Sequence, residues 1–218
     1  MVRSTKEEAL ETRSRILDAA ENVFYARGVS RTALADIAQA ANVTRGAIYW
    51  HFKNKGDLFD AMCARVRLPM EAMMEAKAEE EESDPLGQLR AVWVFLLNEM
   101  ERNLHLRKVF EILFHKCEFV EQSDPIWLRQ REAYRRGAGY IEQIVCKAIR
   151  KKQLPPDLDA KLACATLHAS LNGLLNNWLF APDSFDLTGN AGKLFDACID
   201  ALRYAPSLRR AADATCAA

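Results

Sequence analysis

No stretch of this chain alternates apolar with polar residues at the period of two that a half-buried strand requires. Apolar side chains recur every three or four residues instead, as in Ile16, Leu17, Ala20, Val23 and Phe24, which fall on one face of a helix. Breakers are scarce, with 9 glycines and 7 prolines among 218 residues, against an average share of about 12%. A sandwich or barrel needs turn signals roughly every 8–12 residues, and this chain does not supply them. The expectation is an all-α protein of about nine helices.

Start and stop signals place those helices. Thr5-Lys6-Glu7-Glu8 has the form of a capping box and opens the first one, which Gly28 closes. Leu34 to Ala41 reads as a two-turn helix with Leu34, Ile37, Ala38 and Ala41 inward. Asn42-Val43 makes a tight turn, because Asn tolerates the left-handed conformation, and Thr44 caps a second short helix from Arg45 to His51. Asn54 caps a longer helix whose inner positions are expected at Leu58, Met62, Arg65, Val66 and Pro69, with Pro69 kinking or weakening it. Asp84-Pro85 and Asp124-Pro125 each pair an N-cap with a first-turn proline. They imply helices from Leu86 to Leu104, from Leu106 to Phe119 and from Ile126 to about Lys152. Asp159 caps a helix ending near Phe180, and the last runs from about Leu187 to Tyr204. The run Glu79-Glu80-Glu81-Glu82 reads as a solvated helix end. Two domains are expected, residues 1–67 and 68–218.

Charge and cysteine usage narrow the function class. Lys plus Arg and Asp plus Glu are equal at 30 each, so overall charge does not point to a polyanionic partner; residues 1–67 hold a small positive excess. The longest apolar run, Ala91 to Leu97, is far short of the ~20 residues of a membrane span, and no apolar leader follows Met1. The six cysteines (Cys63, Cys117, Cys146, Cys164, Cys198 and Cys216) show no metal-ligand spacing and suit reduced thiols in a cytoplasmic protein. Cys117, beside His115 and Lys116, reads either as an activated thiol or as an inert buried one. No HExxH, G-x-S-x-G or phosphate loop is present, so neither an enzyme nor a cofactor is expected.

Residues 33–52 carry the sharpest signal, two short helices joined by a three- to four-residue turn in a helix-turn-helix. If the second helix packs through Val43, Ile48 and Phe52, then Thr44, Arg45, Tyr49 and His51 project outward. A guanidinium there can fork onto guanine O6 and N7, while Gly46 lets backbone and DNA come close. Lys55, in the first turn of the next helix, is placed for a phosphate, and Thr32 for another across the groove. Trp50 fits a core position and a groove position equally well.

The run Thr44-Arg45-Gly46-Ala47-Ile48-Tyr49-Trp50-His51-Phe52-Lys53-Asn54-Lys55 resembles the recognition-helix signature of the TetR family of bacterial transcriptional repressors, and Leu34-Ala35-Asp36-Ile37-Ala38 fits the same domain. Arg3 to Glu11, the stretch Glu111-Ile112-Leu113-Phe114-His115-Lys116-Cys117-Glu118-Phe119, and Asn177 to Leu187 resemble its AcrR-type subgroup, whose members repress multidrug efflux pumps of the resistance-nodulation-division kind. The resemblance implies an N-terminal three-helix DNA-binding domain and a larger C-terminal domain for ligand binding and dimerisation. It implies a homodimer on a palindromic double-stranded operator, with recognition helices roughly 34–36 Å apart and the last two long helices of each subunit forming the interface.

It also implies a cavity for small hydrophobic inducers such as antibiotics, dyes and flavonoid-like compounds. Its lining residues are expected at Val66, Val92, Leu96, Phe110, Phe114, Ile141, His168, Asn172, Leu175 and Asn176. Read from spacing alone, His168, Asn172 and Asn176 lie four apart on one helical face, where they serve a ligand, water or an interface. An aromatic Phe114 favours flat hydrophobic compounds. The alternative within the same family is a repressor of other metabolic or redox-responsive genes.

Overall fold

The computed structural model describes residues 6–78, 84–118 and 124–210. Thr5 of the expected capping box, the four glutamates at 79–82, Phe119 and Cys216 lie outside them. The described residues form nine α-helices: α1 (Lys6–Arg27), α2 (Leu34–Ala40), α3 (Arg45–His51), α4 (Lys55–Ala78), α5 (Pro85–Arg102), α6 (Leu104–His115), α7 (Pro125–Arg150), α8 (Ala160–Phe180) and α9 (Ala191–Tyr204). They include no strand; a single antiparallel bridge joins Leu158 and Arg209. No helix among them is long and apolar enough to cross a membrane.

The backbone explains most boundaries. Gly28 has φ +82° and donates its N–H to the Phe24 carbonyl at 2.8 Å, the left-handed cap that ends α1. Asn103 accepts the Leu106 N–H at 3.1 Å, so α6 begins at Leu104, two residues before the expected start. Asp84, Asp124 and Asp159 each accept a first-turn N–H, from Gly87, Ile126 and Lys161 respectively. The last helix begins at Ala191 rather than near Leu187. Asp186 takes the Gly189 N–H at 2.8 Å and holds that stretch in a turn. α4 continues through Pro69 to Ala78.

The chain divides into two compact units, Met1–Glu71 with Asn103–Arg131, and Ala72–Arg102 with Glu132–Ala218. The first unit is therefore larger than the expected domain at 1–67, because Val109 and Ile112 of α6 and Ile126 of α7 bury in the same core as α1–α4. At its centre Phe24 and Phe59 meet edge to face, ring centroids 5.8 Å apart, among Ile16, Ile37, Ile48 and Leu58. Each such side chain contributes about 1.5–3 kcal/mol by burial. Arg65, expected inward, is instead outside and paired with Asp18 at 2.6 Å; Phe59 and Cys63 take the core positions. Glu21 is a buried carboxylate between α1 and α6, faced by His105 Nδ1 at 3.0 Å and Lys108 Nζ at 3.7 Å.

In the second unit α5 packs on α9 through Trp93 and Phe195, centroids 5.4 Å apart, flanked by a two-pronged Arg90–Asp196 pair at 2.8 and 3.1 Å. The later part of α7 meets α8 where the Cys164 thiol donates to the Ala138 carbonyl and the rings of Tyr134 and His168 stand 4.4 Å apart.

Candidate functional site

α2 and α3 are joined by a turn in which Asn42 adopts φ +53° and Val43 donates to the Ala38 carbonyl at 2.9 Å. Thr44 caps α3 by accepting the Ala47 N–H at 3.1 Å. Ile48 and Phe52 are buried and Val43 is half-buried, which sets the orientation of the helix. Thr44, Arg45, Gly46 and Tyr49 consequently stand exposed on the opposite face. Trp50, which the sequence left open, is 73% exposed and edge-on to the His51 ring, centroids 4.5 Å apart. His51 is half-buried, and burial followed by the nearby Arg13 charge holds its pKa below the ordinary histidine value. A neutral imidazole offers a phosphate or base edge a hydrogen bond but no charge.

Beside α3 lies an open concavity of about 610 Å³ bordered by the 30–34 segment, Tyr49, Lys53, Asn54 and Lys55. Two residues expected to reach phosphates from its rim are turned inward. Thr32 is 2% exposed, and its hydroxyl donates to the Gly28 carbonyl at 2.7 Å. The Lys55 ammonium donates to the carbonyls of Val29, Ser30 and Thr32 at 2.8, 3.3 and 3.1 Å. The exposed cations on this rim are Arg31 and Lys53. Sequence reasoning passed over Arg31 because an arginine in a loop carries no periodic signal.

The expected effector residues fall in both units. In the first, Phe110 and Phe114 are half-buried with centroids 6.0 Å apart, and Val66 is half-buried on α4. In the second, Val92, Leu96, Ile141 and Leu175 are buried, and His168, Asn172 and Asn176 are half-buried on α8. Burial lowers the His168 pKa, so its ring lies against Tyr134 in the neutral form at pH 7. Two polar groups of α5 were missed. Gln88 and Trp93 are buried, and their side-chain N–H groups find no partner among the described residues. Gln88 shares the face of Val92 and Leu96 at four-residue spacing, the signal that would have found it. The Cys117 thiol, one candidate for activation, is pushed up to about 11, chiefly by burial, and Lys116 lies over the Tyr25 ring. The inert reading fits that environment.

Two family models match this chain: bacterial regulatory proteins of the tetR family over residues 16–62, and the C-terminal region of MAATS-type transcriptional repressors over 84–204. The HTH-type transcriptional regulator TtgR of Pseudomonas putida is 44% identical over 210 residues, covering 96% of this chain and all of TtgR. The crystal structure of NalD, the secondary repressor of the MexAB-OprM multidrug efflux pump in Pseudomonas aeruginosa, superposes with a TM-score of 0.81 at 36% identity, covering 92% of this chain and all of that one. A complex of SmeT with triclosan superposes at 0.79 with 32% identity, covering 90% of this chain and 93% of that one; SmeT is the repressor of the Stenotrophomonas maltophilia efflux pump SmeDEF.

Proposed function

The chain belongs to the TetR family of bacterial transcriptional regulators, and from that premise we propose that it represses a multidrug-efflux operon and is released by small hydrophobic compounds. The observation that carries the DNA-reading half is the outward face of α3, where Arg45, Tyr49 and Trp50 stand exposed on a helix anchored by buried Ile48 and Phe52. In this reading Arg45 and Thr44 reach base edges in the major groove, Gly46 permits close approach, and Tyr49 and His51 contact the backbone. Arg31 and Lys53 supply the charge toward phosphates.

Similarity to NalD and SmeT along nearly the whole chain supports control of an efflux pump. The triclosan complex of SmeT supports an aromatic, weakly polar inducer. The residues assigned to the inducer in this reading are Val66, Val92, Leu96, Phe110, Phe114, Ile141, His168, Asn172, Leu175 and Asn176. Gln88 and Trp93 offer donors to its polar atoms.

A homodimer in the cytoplasm is the working form in this reading. Leu162 and Phe180 lie eighteen residues, or five turns, apart and so share one line of α8; Ala165, Ala169 and Asn177, exposed near that line, carry no charge. On α9, Tyr204 is exposed as well. Inducer binding favours a conformation unable to span both half-sites, and a coupling of about 2.7 kcal/mol weakens operator binding 100-fold.

Titration of the purified protein onto the DNA beside its own gene, at fixed salt and against scrambled competitor, tests the reading. Specific binding lost on adding triclosan or another apolar compound is the expected result. Binding that no compound weakens would remove the inducer half, and no preference over scrambled DNA would remove the operator half.

A further inference from the structure

The segment 28–32 enters the helix-turn-helix and is bonded from several directions within the first unit. Val29, 3% exposed, donates its N–H to the Lys116 carbonyl at 2.9 Å, next to the last residue of α6. Ser30 reaches Glu118 at 3.3 Å. Thr32 folds its hydroxyl back onto Gly28. Lys55 stands where the chain leaves the same motif, and its ammonium meets three carbonyls of this segment. An ammonium has three N–H donors, so each has an acceptor inside the protein. The entry and exit of the 33–54 segment are thereby stapled together by one side chain.

We propose that Lys55 is a positioning residue for operator recognition: it locks the 28–32 segment to the start of α4 rather than binding a phosphate. Because that segment also hangs on the Lys116 carbonyl, the lock ties α2 and α3 to the end of α6. α6 carries Phe110 and Phe114, so a displacement of α6 pulls on the entry of the reading unit without passing along α4. This route rests on the operator and inducer reading given above; the lock itself rests only on the hydrogen bonds.

Charge-conserving substitution separates a lock from a phosphate ligand. In full-length protein, Lys55→Arg keeps the cation, but a planar fork cannot aim three donors at carbonyls that converge on one nitrogen. The expected result is operator affinity at least tenfold weaker, with the slope of log K against log salt unchanged. Lys55→Met is expected to weaken binding further, again with the wild-type slope. Hydrogen exchange should quicken across 28–33 in both variants, while α8 and α9 keep their protection. Arginine binding like wild type, methionine lowering the slope by about one as a lost phosphate contact does, or exchange at 28–33 unchanged would each overturn the proposal. Should Lys55→Met fail to fold, affinity and exchange in Lys55→Arg decide alone. Wild-type protein with no preference over scrambled DNA would defeat the operator reading, and exchange would still decide the lock.

Discussion

Thr44 does two jobs with one hydroxyl, since the oxygen that faces the proposed groove also accepts the Ala47 N–H. Thr44→Ala removes that cap and is expected to cost about 1 kcal/mol of stability. Thr44→Ser should restore most of it, and urea unfolding of the three proteins checks the order. His51 gives the fold a pH dependence of definite sign. Its folded pKa lies below the ordinary 6.5, chiefly through burial and then through Arg13, so the unfolded chain takes up the proton first. Stability is then complete above about 6.5 and declines as the pH falls through the folded value. His168 shares the direction, through burial alone. The urea midpoint should drop between about pH 7.5 and 5.5, and less so in His51→Gln. An undiminished drop in that variant would assign the effect elsewhere.

At the scale of an element, α7 is the helix whose sequence argues least for being one. Gly137 and Gly139 sit in its middle, and a methyl group added at either meets nothing within 4 Å. Neither close packing nor a left-handed backbone calls for glycine there. Gly137→Ala and Gly139→Ala should each stabilise the protein by about 0.5–1 kcal/mol, read as a higher denaturation midpoint. A loss of stability would mean that the added methyl meets a surface that a single chain does not show. Where a helix boundary agrees with its sequence signal, the reason is that caps are local: Gly28, Thr44, Asn54, Asp84, Asp124 and Asp159 all act within four residues of themselves.

For the molecule as a whole, the proposed mechanism requires a compound that binds the folded chain and still opposes DNA binding. An inducer at about 100 times its Kd should raise the unfolding free energy by about 2.7 kcal/mol, seen as a higher melting temperature. The same concentration should release the operator. Stabilisation without release would separate binding from coupling, and it would place the failure in the coupling rather than in the effector residues. Because the formal charge of the chain is zero, operator affinity depends on where cations are exposed, and a steep salt dependence is expected only if Arg31, Arg45 and Lys53 meet phosphates or bases together.

The amino-acid sequence by itself determined the helical class, most of the caps and the place of the helix-turn-helix. Those features follow from backbone hydrogen bonding and a 3.6-residue repeat, both of which act over one or two turns. Ile48 and Phe52 faced inward as their spacing required, and that alone oriented Arg45 and Tyr49. Long-range contacts were not legible. Lys55 reads in the sequence as a phosphate ligand, and nothing there shows that carbonyls more than twenty residues earlier accept from its ammonium. Glu21 became a buried carboxylate only because α6 brings His105 and Lys108 to it. The reading unit took in α6 for the same reason, since Val109 and Ile112 complete a core that α1–α4 leave open. Burial is a property of what packs against a residue, and the tertiary structure alone decides which distant segment that is.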